Sequence, residues 1–349
     1  MGKTVKITFD KEYFDIKDTL CCGQIFRFRE AGGGCGDVAG GYGAEKLGGA
    51  KNFVGTKNFS EAVCSSTAAA DRTGNGAFGS GYLVFSADKC AFCFTQGEKI
   101  VIECAAGDEE YFRAFFDLDR DYAGIVAAAE NAGVPALKIA AGLGKGVRIL
   151  NQNPEEALFS FIVSQNNNIP RIKEIIEKLC AGAGEERTFY GEIFGKNGFK
   201  YRAFPSAAAL AEKPESFFTG IGLGYRAGYI KGLAEKIAAG DSVSALSGLK
   251  TEELRKELVS IKGVGPKVAD CAVLFGFHRA DGFPVDTWIE KVYKEDFGGT
   301  LTDRKKISEY FVKRFGENSG YFQQYLFYYK RSLEKETEAK PQNGFRNER

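Results

Sequence analysis

A short glycine-rich turn between two segments of helical periodicity is the feature that most constrains how this chain can fold. In the first segment Thr251 is expected to cap a helix, and apolar residues then recur at the spacing of a buried face. Gly263-Val264-Gly265 should end that helix, because glycine adopts backbone conformations closed to other residues. Pro266 suits the first turn of a second helix. The sequence therefore predicts a helix, a tight hairpin and a second helix.

The hairpin also predicts a binding function. The first N–H groups of a helix have no acceptor within the helix, so a helix N-terminus attracts anions. Glycines leave those amides unobstructed by side chains. The turn could therefore hold a phosphate of a nucleic acid, a contact that positions a protein without reading any base.

Three residues in and after the second helix can carry chemistry. Lys267 and Cys271 are four apart and share one helical face. A lysine attacks carbon only as the neutral amine, which requires a desolvating site or a neighbouring cation. Asp286 opens the next predicted helix, where it can cap that helix and place a negative charge near the lysine. Each residue also has an ordinary explanation, as a solvated lysine, a core cysteine and a helix cap, but their joint occurrence favours a catalytic group.

Composition excludes several classes of protein. The chain has 349 residues, with 47 basic against 46 acidic side chains, so it is not a basic nucleic-acid binder overall. It lacks a signal-peptide pattern and an apolar run that could span a bilayer, and its nine cysteines are expected to be reduced thiols. Cys90 and Cys93 have the spacing of half a zinc site, but the alternation around them favours a core strand. No metal or cofactor is expected.

Taken together, the motifs resemble those of the 8-oxoguanine DNA glycosylase family, within the helix-hairpin-helix superfamily of base excision repair glycosylases. A lysine at position 267 is typical of the bifunctional members of that superfamily. Further matches occur in the family's order and, with the hairpin, cover most of the chain outside residues 31–80. They are 23–27 (GQIFR), 164–171 (SQNNNIPR), 222–227 (GLGYRA), and Gln323 with Phe327.

The resemblance implies an α+β fold, with an N-terminal twisted antiparallel β-sheet domain followed by an all-α helix-hairpin-helix glycosylase domain. We expect the first domain over residues 1–107, the catalytic domain with its cleft over 108–335 and a polar tail over 336–349. Residues 31–80, rich in Gly, Ala, Ser and Asn, are expected to form a mobile insertion. Periodicity predicts strands at 4–9, 82–85, 91–94 and 100–103, and, besides the hairpin pair, helices at 109–118, 155–165, 169–180, 225–238, 286–295, 303–315 and 320–333.

The resemblance also implies an activity. A damaged nucleotide is rotated out of the duplex, and Lys267 attacks C1′ of its sugar while Asp286 stabilises the positive charge that develops there. The Schiff base that results leads to strand cleavage by β-elimination. The expected function is thus excision of 8-oxoguanine followed by nicking. The alternatives are a related glycosylase for oxidised pyrimidines or formamidopyrimidines, and a non-catalytic DNA-binding protein.

Base recognition is assigned to four residues by the same resemblance. 8-Oxoguanine carries a proton on N7, where guanine carries a lone pair, and the Gly23 carbonyl would accept it. Gln323 would bind the pairing edge of the base, with Phe327 stacked on one face and Cys271 on the other. From spacing alone, Gly23 is equally well a simple turn between two strand segments, whereas for Phe327 spacing alone favours a core residue.

A further set of residues is assigned to the rest of the duplex. Asn166 would fill the space that the rotated nucleotide leaves, Tyr225 would wedge beside the partner base, and Arg171 and Arg226 would donate to that base. Arginine only donates, so these residues predict a preference for cytosine opposite the lesion. Spacing alone favours a helix-capping role for the three asparagines.

Phosphate contacts are expected from the hairpin residues 263–265 and from Trp288. The family often has a histidine at the latter position, where the indole N–H is a single donor. Since the net charge is near zero, the DNA surface must be local, with Arg171, Arg226, Lys262, Lys305 and Lys306 as candidate cations. The expected partner is double-stranded DNA containing 8-oxoguanine, bound by a monomer away from membranes. The expected location is the cytoplasm, at the nucleoid in a bacterium, or the nucleus in a eukaryote.

Overall fold

Most strands of the protein lie in the first part of its sequence, where residues alternate, and most helices lie in the later part, where the periodicity is helical. The computed structural model describes residues 2–31 and 81–339, with side chains as far as Leu333. Its strands are β1 (Thr4–Asp10), β2 (Phe28–Ala31), β3 (Gly81–Ser86), β4 (Lys89–Gln96), β5 (Lys99–Ala105), β6 (Glu186–Phe189) and β7 (Phe199–Arg202). Its helices are α1 (Ile16–Cys21), α2 (Glu109–Phe115), α3 (Tyr122–Glu130), α4 (Pro135–Leu143), α5 (Pro154–Ser164), α6 (Ile169–Ala183), α7 (Ala207–Ala211), α8 (Glu215–Gly220), α9 (Ala227–Ala238), α10 (Thr251–Ser260), α11 (Pro266–Phe275), α12 (Thr287–Glu295), α13 (Arg304–Phe315) and α14 (Ser319–Ala339).

The first five strands form one antiparallel sheet in the order β1-β5-β4-β3-β2. Alternate residues of β3 point to opposite faces, so Tyr82 and Val84 join one core while Leu83 and Phe85 join another. Helices α1 and α2 cover the first face, and the helical part of the chain follows. The predicted α+β fold is confirmed. The predicted insertion, apart from Ala31, and the end of the predicted tail after residue 339 lie outside the described residues.

A two-stranded antiparallel sheet, β6-β7, covers the other face of the large sheet. Phe189 and Phe199 from this pair pack with Phe92 and Phe94 of β4. Neither strand was predicted from the sequence. Each strand has four residues, and some of these are charged, so the alternation of apolar and polar residues that predicts a strand is weak. The large sheet supplies the apolar surface that stabilises both strands.

Cys90 and Cys93 lie on opposite faces of β4. Cys90 packs in the core beneath β6-β7, whereas Cys93 packs in the core beneath α1 and α2. Burial raises the pKa of both thiols well above its usual value. Two thiols that project from opposite faces of a sheet cannot bind one ion, so this spacing reflects a core strand.

One continuous apolar core joins the helices from α3 to α14. The helices predicted from periodicity are present, with ends that differ by a few residues. Helices α1, α3, α4, α7 and α8 were not predicted. Helices α3, α4 and α7 are rich in alanine, which gives little contrast between an apolar and a polar face. Within the described ranges no helix is both long and apolar enough to cross a bilayer.

A buried ion pair joins the sheet to the helical part. The Nη1 of Arg27 lies 3.2 Å from Oε1 of Glu156 in the first turn of α5. The other carboxylate oxygen accepts the N–H of Ala87 at 2.5 Å, and Nη2 of Arg27 donates to the carbonyl of Arg202 at 2.6 Å. Removing either partner would leave an uncompensated buried charge, so the pair fixes the sheet against α5. The division into domains at residue 107 stays a prediction.

Candidate active site and nucleic-acid interface

The predicted hairpin is present between α10 and α11. Helix α10 ends at Ser260, three residues before the predicted stop, and Pro266 begins α11. The prediction that Thr251 caps α10 is wrong, because Thr251 is already the first helical residue and its hydroxyl donates to Asp281 at 3.0 Å. The cap is Lys250, whose backbone N–H donates to the Glu253 carboxylate at 3.3 Å.

The turn itself depends on Gly263. Its φ of +91° lies in the left-handed region, and a Cβ there would come within 2.3 Å of the Tyr229 ring. The Val264 side chain is buried, and its N–H donates to the carbonyl of Ile261 at 2.9 Å. Across the described residues, the amides of Gly263 and Gly265 have no acceptor. Two of the three predicted amides are therefore available to an anion, and that of Val264 is not.

The hairpin and the loop that carries Gln165 and Asn166 line one surface depression, which we call the hairpin depression. Gln165 connects its two sides, since Nε2 of this residue donates to the carbonyl of Gly263 at 2.9 Å. Tyr225 stands in the depression with half of its surface exposed. The lining residues are Gln165, Asn166, Tyr225, Tyr229 and residues 259–265.

Asn166 and Asn168 have different environments in the structure. Asn168 is the N-cap of α6 and accepts the N–H of Arg171 at 3.0 Å, as spacing alone predicted. Asn166 is exposed, with a φ of +46°, and its amide donates to the Tyr225 hydroxyl at 3.2 Å. Asn166 and Tyr225 therefore meet as an exposed pair from two separate turns, whereas Asn168 caps the helix that follows.

The two arginines expected to act together are in different environments. Arg171 is exposed on the first turn of α6, in a groove also lined by Asn168, Pro170, Glu174, Ile175, Lys178, Ile221 and Gly222. Arg226 is buried, and its guanidinium donates to the carbonyls of Gln165, Asn166 and Leu223. The donors of Arg226 are largely used to hold the loop that carries Asn166, and its contact with the partner base stays a prediction.

Lys267 and Cys271 are neighbours on α11, as their spacing predicted. Burial raises the pKa of the Cys271 thiol to about 11, and the nearby Lys267 amine opposes that rise. The thiol is therefore protonated at neutral pH, so the group beside Lys267 is neutral. The amine also lies 5.6 Å from the centre of the Phe161 ring. We call Lys267, Cys271 and Asp286 the amine cluster.

Asp286 caps α12, as predicted. Its Oδ1 accepts the backbone N–H groups of Trp288 at 2.9 Å and Ile289 at 3.0 Å. Its negative charge is close enough to Cys271 to raise the pKa of that thiol further. Among the described side chains no ion pair joins Asp286 to Lys267, so the carboxylate and the amine are not in direct contact. The Trp288 ring is half-buried, with the Lys291 amine 5.0 Å from its centre.

A second group of predicted residues lies around Gly23, which is near the start of the chain. Gly23 has a φ of +94°, and a Cβ there would lie 3.7 Å from the Phe327 ring and 3.9 Å from Cδ1 of Ile169. Gln323 is one turn before Phe327 on α14. We call Gly23, Gln323 and Phe327 the glycine cluster. A residue other than glycine would be strained at position 23 and would project toward Phe327.

Gln323 is 5% exposed, and within the described part of the chain its Oε1 has no hydrogen-bonding partner. The adjacent Gln324 is as deeply buried, but its amide donates to the carbonyl of Cys22 at 3.5 Å. A buried polar atom without a partner costs free energy, which a protein recovers when a ligand supplies the missing group. Gln323 is therefore a candidate ligand-binding residue by its structure as well as by its position in the sequence.

Two residues that position these clusters were not predicted from the sequence. Gln24 donates to the carbonyls of Thr19 at 2.9 Å and Arg148 at 2.7 Å, which fixes the backbone beside Gly23. Phe161 lies between the Lys267 amine and Phe26, whose ring centre is 5.8 Å away. The position of Gln24 within the GQIFR block was a signal for its role, whereas nothing in the sequence marks Phe161.

Comparisons with known proteins identify the family of this chain. Residues 6–158 match the family model of the 8-oxoguanine DNA glycosylase N-terminal domain, and residues 159–317 match that of the HhH-GPD superfamily base excision DNA repair protein. The N-glycosylase/DNA lyase of Saccharomyces cerevisiae is 35% identical over 181 residues, which are 48% of this chain and 46% of that protein. The N-glycosylase/DNA lyase OGG1 of Arabidopsis thaliana is 34% identical over 195 residues, 52% of each chain. The chain spans about half the length of these curated relatives.

Solved structures match over nearly the whole length of both chains. The 8-oxoguanine glycosylase/lyase of Clostridium acetobutylicum, in complex with double-stranded DNA containing cytosine opposite 8-oxoguanine, is 31% identical with a TM-score of 0.72 and 93% of each chain covered. MBOgg1 in complex with a low-affinity DNA ligand is 29% identical with a TM-score of 0.75, covering 96% of this chain and 97% of the other. The chain therefore belongs to the 8-oxoguanine DNA glycosylase family of the helix-hairpin-helix base excision repair superfamily.

Proposed function

We propose that this protein is a bifunctional DNA glycosylase and AP lyase that excises 8-oxoguanine from double-stranded DNA and then nicks the strand. The amine cluster carries the proposal. Lys267 offers a nucleophile beside a neutral thiol, with the Asp286 carboxylate nearby to stabilise positive charge. Relatives named as N-glycosylase/DNA lyases support the reaction class, and the Clostridium enzyme supports the lesion.

Lys267 forms the new covalent bond in the proposed reaction. The neutral amine attacks C1′ of the rotated nucleotide, the bond from C1′ to the base breaks, and the base leaves with the bonding electron pair and takes up a proton. Positive charge develops on the sugar as that bond weakens, and the Asp286 carboxylate stabilises it. Opening of the sugar gives a Schiff base to Lys267. Loss of a proton from C2′ then expels the 3′ phosphate, which nicks the strand.

The glycine cluster, completed by Cys271, is proposed to bind the lesion base. The Gly23 carbonyl accepts the N7 proton that distinguishes 8-oxoguanine from guanine. Gln323 binds the pairing edge with the carboxamide oxygen that has no partner in the described chain, because the N1–H and amino group of the base are donors. Phe327 stacks on one face of the base and the neutral Cys271 thiol packs on the other.

The hairpin depression is proposed to hold the rest of the duplex. Asn166 fills the space left by the rotated nucleotide, with Tyr225 beside the partner base, and the free amides of Gly263 and Gly265 hold a backbone phosphate. Trp288 supplies an indole N–H to another phosphate. Arg171 donates to the partner base, which favours a cytosine there because a cytosine edge offers acceptors.

Arg226 reaches the partner base in this proposal only if DNA binding releases it from the carbonyls of the loop. All residues assigned to the reaction come from one chain, so the active form is proposed to be a monomer. A substrate that is double-stranded DNA places the protein at the nucleoid of a bacterium or in the nucleus of a eukaryote.

Borohydride trapping tests the proposal directly, because reduction converts a Schiff base into a stable covalent adduct. Wild type and Lys267→Gln are incubated with labelled duplexes that carry 8-oxoguanine opposite each of the four bases, and the products are separated on a denaturing gel. We expect an adduct and a nick with wild type, strongest opposite cytosine, and neither with Lys267→Gln. Lys256→Gln, on the exposed face of α10, is the matched control and should behave as wild type.

The alternatives give different outcomes. An adduct on duplexes with oxidised pyrimidines or formamidopyrimidines, but not with 8-oxoguanine, would assign the protein to another lesion. Binding without an adduct or a nick on any lesion would indicate a non-catalytic DNA-binding protein. An adduct that survives in Lys267→Gln would contradict the assignment of the nucleophile.

A further inference from the structure

A cation that has no part in the proposed reaction lies beside the glycine cluster. Arg331 is half-buried on α14, and its Nη1 lies 3.3 Å from the position that a Cβ on Gly23 would occupy. The same atom donates to the carbonyl of Cys21 at 3.4 Å, a long hydrogen bond. The guanidinium thus stands against the backbone that is proposed to read N7 of the lesion.

The environment of Arg331 differs from that of the lysine before it. Lys330 is paired with Glu295 at 2.5 Å and Asp296 at 3.5 Å. Among the described residues Arg331 has no carboxylate partner and makes the single hydrogen bond to Cys21. A guanidinium has five N–H donors in a rigid plane, so most of its donors remain free to meet a ligand.

The order of residues along α14 matches the order of groups across the base. Gln323, Phe327 and Arg331 follow at intervals of four residues, a span of about 12 Å along one side of the helix. In the proposed complex Gln323 meets the pairing edge and Phe327 covers the rings. Arg331 then lies at the opposite end, where the five-membered ring carries N7–H and, on the next carbon, O8.

We propose that Arg331 donates a hydrogen bond to O8 of the rotated 8-oxoguanine and thereby helps to distinguish the lesion from guanine. This inference rests on the proposed function. O8 is bonded to the carbon next to N7, so a base whose N7–H reaches the Gly23 carbonyl directs O8 toward the group beside Gly23. Guanine has a C–H at that carbon and offers no acceptor, so it would not form this bond with the guanidinium.

Equilibrium binding in the Lys267→Gln background separates recognition from chemistry. Dissociation constants are measured for this variant alone and combined with Arg331→Met or Arg331→Lys, on duplexes with 8-oxoguanine, guanine or a tetrahydrofuran abasic analogue opposite cytosine. We expect Arg331→Met to weaken binding of the 8-oxoguanine duplex by ~10–100-fold and to leave the other two unchanged. Arg331→Lys keeps a donor and should lose less.

Arg113→Ala, which removes an arginine paired with Asp119 on α2, is the matched control and should bind all three duplexes unchanged. An equal loss of affinity on all three duplexes would show that Arg331 contacts a phosphate, and unchanged affinity would show that it contacts no part of the DNA; either result overturns the inference. Failure of the proposed function is distinct, because wild type would then excise no 8-oxoguanine and its Lys267→Gln variant would not prefer the lesion duplex.

Discussion

Gln323 in the glycine cluster and Arg226 beside the hairpin depression are both about 5% exposed, but they differ in the hydrogen bonding of their polar atoms. The Oε1 of Gln323 has no partner among the described residues, whereas the Arg226 guanidinium donates to three backbone carbonyls. A buried group without a partner lowers stability until a ligand arrives, while a satisfied group holds the structure around it. Gln323 thus has a free acceptor for the proposed substrate, whereas the donors of Arg226 position the loop that carries Asn166.

The same contrast appears around the two glycines with positive φ. At Gly23 an added side chain would project toward Phe327 and Arg331, that is, into the proposed base site. At Gly263 it would collide with Tyr229, which belongs to the structure of the hairpin itself. One glycine keeps space for a ligand, and the other permits close packing of the protein.

The largest expected effect is a loss of excision activity without a loss of stability when Gln323 is replaced. Gln323→Leu should slow excision of 8-oxoguanine by ~10²–10³-fold, because about two hydrogen bonds to the base are lost. Its free energy of unfolding should be unchanged or higher, since the buried unpaired oxygen is removed. Single-turnover excision and urea unfolding measure the two quantities.

Gln324→Leu is the matched control for Gln323→Leu. Its amide donates to the carbonyl of Cys22, which would be left buried without that donor, so we expect a loss of about 1–2 kcal/mol in unfolding free energy with little change in excision. If both variants lose stability equally, Gln323 is an ordinary core residue and the contrast fails.

Arg226→Met should lower the free energy of unfolding by about 2 kcal/mol, because the carbonyls of Gln165 and Asn166 lose buried donors. Arg171→Met removes an exposed side chain and should leave stability unchanged while it weakens the preference for cytosine opposite the lesion. Chemical unfolding and excision opposite each base test the pair. Unchanged stability in Arg226→Met, with loss of the cytosine preference, would assign Arg226 to the partner base instead.

Asp286 caps α12 and is also proposed to stabilise the positive charge that develops on the sugar. Two substitutions separate these roles. Asp286→Asn keeps a capping oxygen for the N–H groups of Trp288 and Ile289, whereas Asp286→Ala removes it and should cost about 1 kcal/mol of stability. Both should excise 8-oxoguanine far more slowly than wild type. Full activity in Asp286→Asn would limit this residue to capping.

The smallest expected effect concerns the Cys271 thiol, whose pKa is raised to about 11. Only the thiolate reacts with iodoacetamide, so Cys271 should resist alkylation at pH 8 and react faster as the pH approaches 11. The exposed Cys21 serves as the comparison and should be modified first. Mass spectrometry of the two peptides follows both rates, and fast labelling of Cys271 at pH 8 would contradict a neutral thiol beside Lys267.

Local features of the site could be predicted because their causes are local. The turn at 263–265 follows from glycine and proline chemistry, the shared face of Lys267 and Cys271 from helical spacing, and the cap at Asp286 from its place before a helix. The predicted cap at Thr251 was wrong by one residue, because α10 begins at Thr251 itself and the preceding Lys250 donates its N–H to the Glu253 carboxylate. Strands β6 and β7 escaped prediction because the large sheet stabilises them.

The sequence by itself determined the α+β fold, the hairpin and the family of this protein, since periodicity and motif order are properties of the chain. Only the tertiary structure decided which polar groups are used and which are free. Arg226 and Arg171 are similar as residues, yet burial commits one to backbone carbonyls and leaves the other exposed. Helical spacing puts Arg331 on the same face as Phe327, but Gly23 lies about 300 positions away from both, and no local signal places it beside them. Hydrogen-bond satisfaction depends on distant segments brought together by folding, so the pairing of each buried group is fixed only by the packed structure.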